Sequence, residues 1–425
     1  MYITFYRTDV SSPTPPKRET PRVGHQFNVF DYMKDPAQSQ KFDLFEFLRL
    51  TANPTEAQKM EEQKEEKEQE IAKALSELPP IPAQKITVCR SKESLRNFFN
   101  YHVRPEWYDL PAPPSFPVEK VDQHYTTFFL KKPDGGKREI NAPDEELKHY
   151  LSEVKRYFEL TLKILPHDVA HAYTSQRTNR TAMQVHQAND SHFFLKLDMH
   201  GFFPSHTKPY IMSMLQEVYP IGFLLENAEY KKNFERMLDY NFYKGVVPQG
   251  TPLSPTLTNI CMVPFDFILK KKLKEKGPYV YTRYADDLTI SSKFPFMFKD
   301  IEGLVNENIA AFKAPFTLNE KKTRYGSRAG ANWNLGMMLN KDNRITMGHK
   351  ANKRLKAILF NIFSDYRNNK PWDVPEAQKI QGVINYYTQI DPDTTRHIIS
   401  TYERKFSLEL KKVLKFWIVG SQKGD

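Results

Sequence analysis

From about Ser91 to Ile345 the chain switches repeatedly between two hydrophobic periods. Tyr125-Thr-Thr-Phe-Phe-Leu has the aromatic and β-branched content of a strand, and Pro133-Asp-Gly-Gly is a tight turn that returns it to Arg138-Glu-Ile-Asn. A 3.6-residue period then runs through Leu147–Leu165 and predicts a helix. His192-Phe-Phe-Leu-Lys-Leu-Asp is an apolar strand that ends in a carboxylate. Val280-Tyr-Thr-Arg-Tyr-Ala-Asp-Asp-Leu-Thr-Ile-Ser predicts a hairpin with two carboxylates near its turn. From Ala351 onward the pattern is helical.

The first ninety residues break this alternation. Pro13, Pro15, Pro16 and Pro21 predict an extended arm, and Asp43-Leu-Phe-Glu-Phe-Leu-Arg-Leu a short amphipathic helix. Between Thr55 and Leu78 the chain is dominated by Glu, Lys and Gln. Thr55 is placed to cap a long helix that Pro79, Pro80 and Pro82 would end. Such a run is a solvated helix or linker, or else a contact arm for a partner chain or an RNA.

Composition narrows the classes. At about 150 residues per domain, 425 residues predict two or three domains with a real core. The apolar runs near Phe265 and Phe416 fall short of the roughly 20 residues a membrane helix needs. The opening MYITFYRTDVSSP lacks the basic and apolar regions of a secretory signal. Two cysteines, Cys89 and Cys261, build neither a disulfide framework nor an all-cysteine zinc site, so a reducing cytoplasm is the expected compartment. The charge of +11, with 22 Tyr and 30 Phe, suits a nucleic-acid partner, since phosphates attract cations and aromatic rings stack on bases. Residues 341–425 alone hold 16 Lys and Arg against 9 Asp and Glu.

The acids carry the chemistry. Asp198 closes one apolar strand, and Asp286-Asp287 sit at the predicted hairpin turn. Acids at the ends of buried strands are costly unless paired with cations or metals. Adjacent residues on a strand face opposite sides, but a tight turn lets both reach one site. Three carboxylates drawn from two strands would suit two magnesium ions, which take oxygen ligands and bridge to phosphates. Asp286-Asp287 could equally do no more than cap a turn. Between the two acidic segments stands Val247-Pro-Gln-Gly-Thr-Pro-Leu-Ser-Pro-Thr-Leu-Thr-Asn. There Gly250 would give backbone clearance, and Ser254 or Thr256 could cap a helix.

Taken in order, these motifs resemble bacterial reverse transcriptases of the retron, group II intron-like and phage-defence group, over about residues 95–420. The resemblance implies an α+β right-hand polymerase with an N-terminal extension at 1–90, fingers at 91–190, palm at 191–345 and a basic helical thumb at 346–425. Lys131-Lys-Pro-Asp-Gly-Gly-Lys-Arg-Glu-Ile is similar to the fingers hairpin, where Lys132 and Arg138 would hold the triphosphate of the incoming dNTP. Phe194-Leu-Lys-Leu-Asp-Met-His-Gly-Phe-Phe-Pro-Ser resembles the first palm motif. It implies Asp198 and the Met199 carbonyl as metal ligands, and Phe203 as the aromatic gate against a ribose 2′-hydroxyl; Phe202, or Phe203 itself, could instead be a core phenylalanine.

Pro248-Gln249-Gly250 with Ser254-Pro255 resembles the motif lining the nucleotide and template pocket, and Tyr284-Ala-Asp-Asp the catalytic hairpin, which implies Asp286 and Asp287 as further ligands of two Mg2+ ions, with Mn2+ a possible substitute. Leu318-Asn-Glu-Lys-Lys-Thr resembles the next palm motif and implies Lys322, or its neighbour Lys321, as the acid that protonates departing pyrophosphate; the alternative is a solvated lysine at a strand start. Asn334-Leu-Gly-Met-Met-Leu-Asn is similar to the hairpin that joins palm to thumb, and Gln381-Gly-Val-Ile-Asn-Tyr-Tyr to a thumb helix.

Two motifs depart from the retron pattern. Thr181-Ala-Met-Gln-Val-His186 stands where those enzymes usually carry Asn-Ala-x-x-His, and Asn334-Leu-Gly336 where they carry Val-Thr-Gly. The resemblance therefore implies a stand-alone reverse transcriptase that copies an RNA template, a dedicated non-coding RNA, into cDNA, with anti-phage defence as its role. A partner protein or a second copy would meet it through the N-terminal extension, and no membrane contact is expected. The alternatives are untemplated or protein-primed DNA synthesis at the same site, a non-catalytic RNA-binding scaffold, and RNA synthesis, against which Phe203 argues.

Overall fold

The computed structural model describes residues 87–99, 103–131, 135–330 and 335–420. The expected arm and both helices before Pro79, together with Lys132 and Asn334, lie outside these residues.

The first two strands, β1 (Tyr125–Lys131) and β2 (Lys137–Pro143), pair antiparallel in unbroken register from Tyr125↔Pro143 to Lys131↔Lys137. Only the root of this ribbon is buried: Tyr125 and Asn141 are covered, while β1 is exposed from Thr126 onward. The root is bonded into the body by the Tyr125 hydroxyl, which donates to the Tyr240 carbonyl (3.1 Å), and by the Asn141 N–H, which donates to the Gln249 carbonyl (2.7 Å).

Asp144 caps the helix Glu145–Arg156 by accepting from the Leu147 N–H. The helix widens into a π turn at Tyr157–Thr161 and stops short of Leu165, because Lys163 takes a left-handed backbone (φ 51°).

The main sheet is built around β3 (Phe193–His200). Its neighbours are β5 (Asp287–Ser292), itself the return strand from β4 (Val280–Tyr284), and on the other edge β7 (Arg324–Ser327) and β6 (Thr317–Leu318). Alternation along β3 divides two cores. Leu195, Leu197 and Met199 join the larger one with Phe265 and Leu269 of helix Val263–Lys276 and Ile301 and Val305 of helix Phe298–Ala311. Phe194 joins the smaller one with Met183, which is carried on helix Asn179–Ala188.

A short hairpin, β8 (Met338–Leu339) with β9 (Ile345–Thr346), leads from the sheet into helices Gly348–Arg367, Val374–Ile390, Pro392–Phe406 and Leu410–Gly420. Two of these start on aspartate caps, Asp373 and Asp391, followed by a proline in the first turn. No helix among the described residues is long and apolar enough to cross a membrane. The architecture is α+β: a five-stranded sheet backed by helices, a projecting two-stranded ribbon and a helical C-terminal bundle.

Candidate active site

Antiparallel pairing sets Asp198 directly opposite Asp287. Direct cross-strand partners share a face, with Cα atoms about 4.5–5.5 Å apart, so the two carboxylates leave the sheet on one side. Asp286 lies in the two-residue turn between β4 and β5, and its carbonyl accepts from the Met199 N–H (2.9 Å), which ties the turn to β3. The other turn residue, Ala285, has a left-handed backbone (φ 56°), a conformation that costs a non-glycine residue roughly 1–2 kcal/mol.

That strain is held from below. Arg283, fully buried, donates from Nη1 to the Ala285 carbonyl (3.2 Å) and to Asn259 Oδ1 (3.1 Å). Its Nε and Nη2 grip both carboxylate oxygens of the equally buried Asp266 at 2.8–3.1 Å, and the Tyr281 hydroxyl donates to the same group. On the opposite face of the hairpin the fully buried His186 bridges Thr282 Oγ1 (2.8 Å) and Ser291 Oγ (2.6 Å). Burial pushes His186 down to about 3.

The acids have cationic neighbours of their own. Lys322 Nζ donates to both oxygens of Asp198 (2.9 and 3.2 Å), and Lys196 Nζ lies 3.1 Å from Asp287. Burial, then Asp287 and Asp198, raise Asp286 above the ordinary carboxylate range. Burial also raises Asp287, against the lowering effect of Lys196. The hydrogen bond to Asp198 raises Lys322. No three His, Cys, Asp or Glu side chains among the described residues close round a single point, and Asp198 and Asp287 are each paired with a lysine. The donor set still fits a divalent cation: three hard carboxylates on one edge, two of them raised by burial and mutual repulsion that positive charge would relieve.

These residues open onto a cavity of about 860 Å³, large enough for a nucleotide. Arg138 from the ribbon, Phe203, Gln249, Met199, Asp198, Asp286 and Lys322 all line it. Phe203 is half-buried at the cavity wall, while Phe202 is a core residue. Gly250 (φ 125°) lets the chain pass against the ribbon root, where a Cβ would come within 2.8 Å of Ile140 Cγ2. Lys322 sits in a 3-10 turn, Glu320–Lys322, and not at a strand start. Neither Ser254 nor Thr256 caps the helix Ser254–Cys261, whose N-cap position is Leu253 with no side-chain cap; the Ser254 N–H is met instead by Thr251 Oγ1 (3.0 Å). Lys132 is outside the described residues, so the structure joins only Arg138 of that pair to the cavity.

Sequence reasoning missed three groups here. Lys196 had a legible signal, being two positions before Asp198 on the same strand face. Tyr173, in a loop that lines the cavity, and Asn259, which donates from Nδ2 to the Ala172 carbonyl (2.8 Å), had none.

A carboxylate-bearing sheet facing a cationic ribbon across a nucleotide-sized cavity, with a helical bundle beyond, is the plan of a right-hand nucleic-acid polymerase. Residues 130–350, just over half the chain, match the family described as reverse transcriptase (RNA-dependent DNA polymerase), and the chain belongs to that family. It is 28% identical over 296 residues to the retron Mx65 reverse transcriptase of Myxococcus xanthus, a match covering 66% of this chain and 65% of that one. It is 24% identical to the Escherichia coli retron Ec83 and Ec86 reverse transcriptases, over 68% of this chain in each case and over 90% and 84% of theirs. The departures at Thr181–His186 and Asn334–Gly336 thus coexist with clear likeness to retron enzymes. Members of the family work with divalent metal ions and RNA templates.

Proposed function

We propose that this protein is an RNA-directed DNA polymerase that makes cDNA from an associated non-coding RNA, and that it serves in bacterial anti-phage defence. The observation that carries the catalytic reading is the pairing of Asp198 with Asp287 beside Asp286, where Asp198 and Asp286 line a cavity that Arg138 also lines. The likeness to retron enzymes supports the RNA-copying reading. The defence role rests on resemblance to phage-defence polymerases.

Asp198, Asp286 and Asp287, with the Met199 carbonyl, would hold two Mg2+ ions, which when bound supply Lewis-acid activation of a primer hydroxyl and neutralise charge on the departing pyrophosphate. The chain's own groups do the rest. Arg138, with Lys132, draws the triphosphate out of solvent by charge-assisted hydrogen bonds. Phe203 stands against the sugar and excludes a 2′-hydroxyl. Gln249 lines the nucleotide pocket. Lys322, already protonated and bonded to Asp198, is placed to release its proton to pyrophosphate.

The test is sequencing of the nucleic acid that co-purifies with the wild-type protein and with the D286A/D287A variant. cDNA complementary to one bound RNA, missing from the variant, is the expected result. DNA without a matching RNA would show untemplated synthesis, and identical nucleic acid from both proteins would overturn the catalytic reading.

A further inference from the structure

Tyr173 lines this site, and the polymerase reading gives it no task. The residue is 56% exposed and lines the same cavity as Asp198, Asp286, Arg138 and Phe203. Its backbone is left-handed (φ 54°), a strained choice for a bulky aromatic. An exposed ring adds little to a core, so fold stability does not explain why the strain is kept.

The surrounding bonds hold it in place. The Ala172 carbonyl, one residue before, accepts from Asn259 Nδ2 (2.8 Å), and the Thr174 carbonyl, one residue after, accepts from the Arg177 N–H (3.1 Å). Asn259 Oδ1 in turn receives Arg283 Nη1, which also donates to the Ala285 carbonyl. One buried relay therefore pins two left-handed residues, Tyr173 at the cavity wall and Ala285 beside the catalytic acids.

Tyr173 meets Phe203 edge to face, with ring centroids 6.3 Å apart at 67°. Phe203 also meets Phe202, edge to face at 5.4 Å and 76°. Phe202 is a buried core residue, so the Phe203 ring is held by one fixed core ring and by Tyr173 of the cavity lining. Removing Tyr173 leaves Phe203 free to turn into the space vacated, away from any sugar bound there.

We propose that Tyr173 is a second ring of the sugar gate: it fixes the Phe203 ring and thereby sets the preference for deoxyribonucleotides over ribonucleotides. The inference rests on the nucleotide-polymerising reading of this cavity. It requires the ring and not the hydroxyl, since the contact to Phe203 is made by ring faces and edges.

The test measures kcat/KM for dATP and ATP in the wild type, Y173A, Y173F, F203A and the Y173A/F203A pair. The expected result is that Y173A narrows the dATP-to-ATP ratio by about tenfold or more, the scale at which a reshaped apolar pocket discriminates. Y173F should keep the wild-type ratio, and Y173A should add little once Phe203 is gone. An unchanged ratio in Y173A, or a fully additive double variant, overturns the proposal. Calorimetric binding of dATP and ATP in Mg2+ separates this from failure of the polymerase reading. If the wild type incorporates nothing yet binds dATP over ATP, and Y173A loses that preference, the gate stands without the polymerase; equal binding of the two by wild type overturns the gate.

Discussion

The hairpin β4–β5, which carries Asp286 and Asp287, and the ribbon β1–β2 are both two-stranded antiparallel units with a short return, yet they are built in opposite ways. In the hairpin every residue of β5 after Asp287 is buried, and polar side chains meet partners on both faces: Asp266 and Asn259 on one, His186 on the other. In the ribbon β1 is exposed beyond Tyr125, and Phe128, Phe129 and Leu130 stand in solvent beside Lys131, Lys137 and Arg138. The difference suits what the proposed function asks of each. Acids that have to meet at one point need a frame that cannot relax, and a buried, fully bonded network provides it. Cations that capture a solvated triphosphate work from a surface, where charge costs little to keep.

The largest expected effect is on the acids themselves. D286A/D287A should lower the rate of nucleotide incorporation by about a thousandfold or more, the worth of several kcal/mol of lost charge stabilisation, with little change in the melting transition. A variant that still extends a primer at a tenth of the wild-type rate would place the chemistry elsewhere.

The frame beneath comes next. R283M strands Asp266 in the core without its partner, and removal of one member of a buried pair typically costs about 3–5 kcal/mol. Urea unfolding should register that loss. A shift below 1 kcal/mol would mean the network is not what holds the turn.

On the ribbon the effect should invert, falling on binding and not on stability. R138A should raise KM for dNTPs by about 10- to 100-fold, the scale of one charge-assisted contact, and leave the urea midpoint where it is. A fall in kcat with KM unchanged would move Arg138 from capture to catalysis.

The smallest effect is a pH slope. Burial holds His186 neutral, pushed down to about 3 from an ordinary value of 6.5. The unfolded chain takes up this proton first as pH falls, so the stability it contributes is complete above 6.5 and drains as pH drops from 6.5 towards 3, by about 1.4 kcal/mol per unit. H186Q should flatten that slope by one proton. An acid unfolding curve that H186Q does not alter would show that another group dominates, with His171 and His206, each pushed down to about 4 by burial, as the next to replace.

Much of this was legible along the chain, for a physical reason. The strand that ends in Asp198, the hairpin carrying Asp286 and Asp287, the pairing of the two ribbon strands and the helices after Ala351 all depend on local periodicity and turn chemistry. The clearance at Gly250 and the core position of Phe202 were also readable, since a crowded backbone and a doubled aromatic leave marks in a few adjacent residues. Local reasoning went astray at the start of helix Ser254–Cys261. Ser254 and Thr256 both suit a cap, yet neither serves as one, and the Ser254 N–H is met by Thr251, a partner that only the path of the chain supplies.

Tertiary structure alone decided what meets across long separations. That Asp198 faces Asp287, that Lys322 arrives on Asp198 from a separate turn, that Arg283 reaches Asp266, and that Asn259 joins the loop of Tyr173 to the turn of Ala285 are consequences of register and packing. Hydrophobic pattern specifies which face of an element is buried. It does not specify which polar partner waits there, because a buried donor is satisfied by any well-placed acceptor and the assembled core alone brings one within about 3 Å.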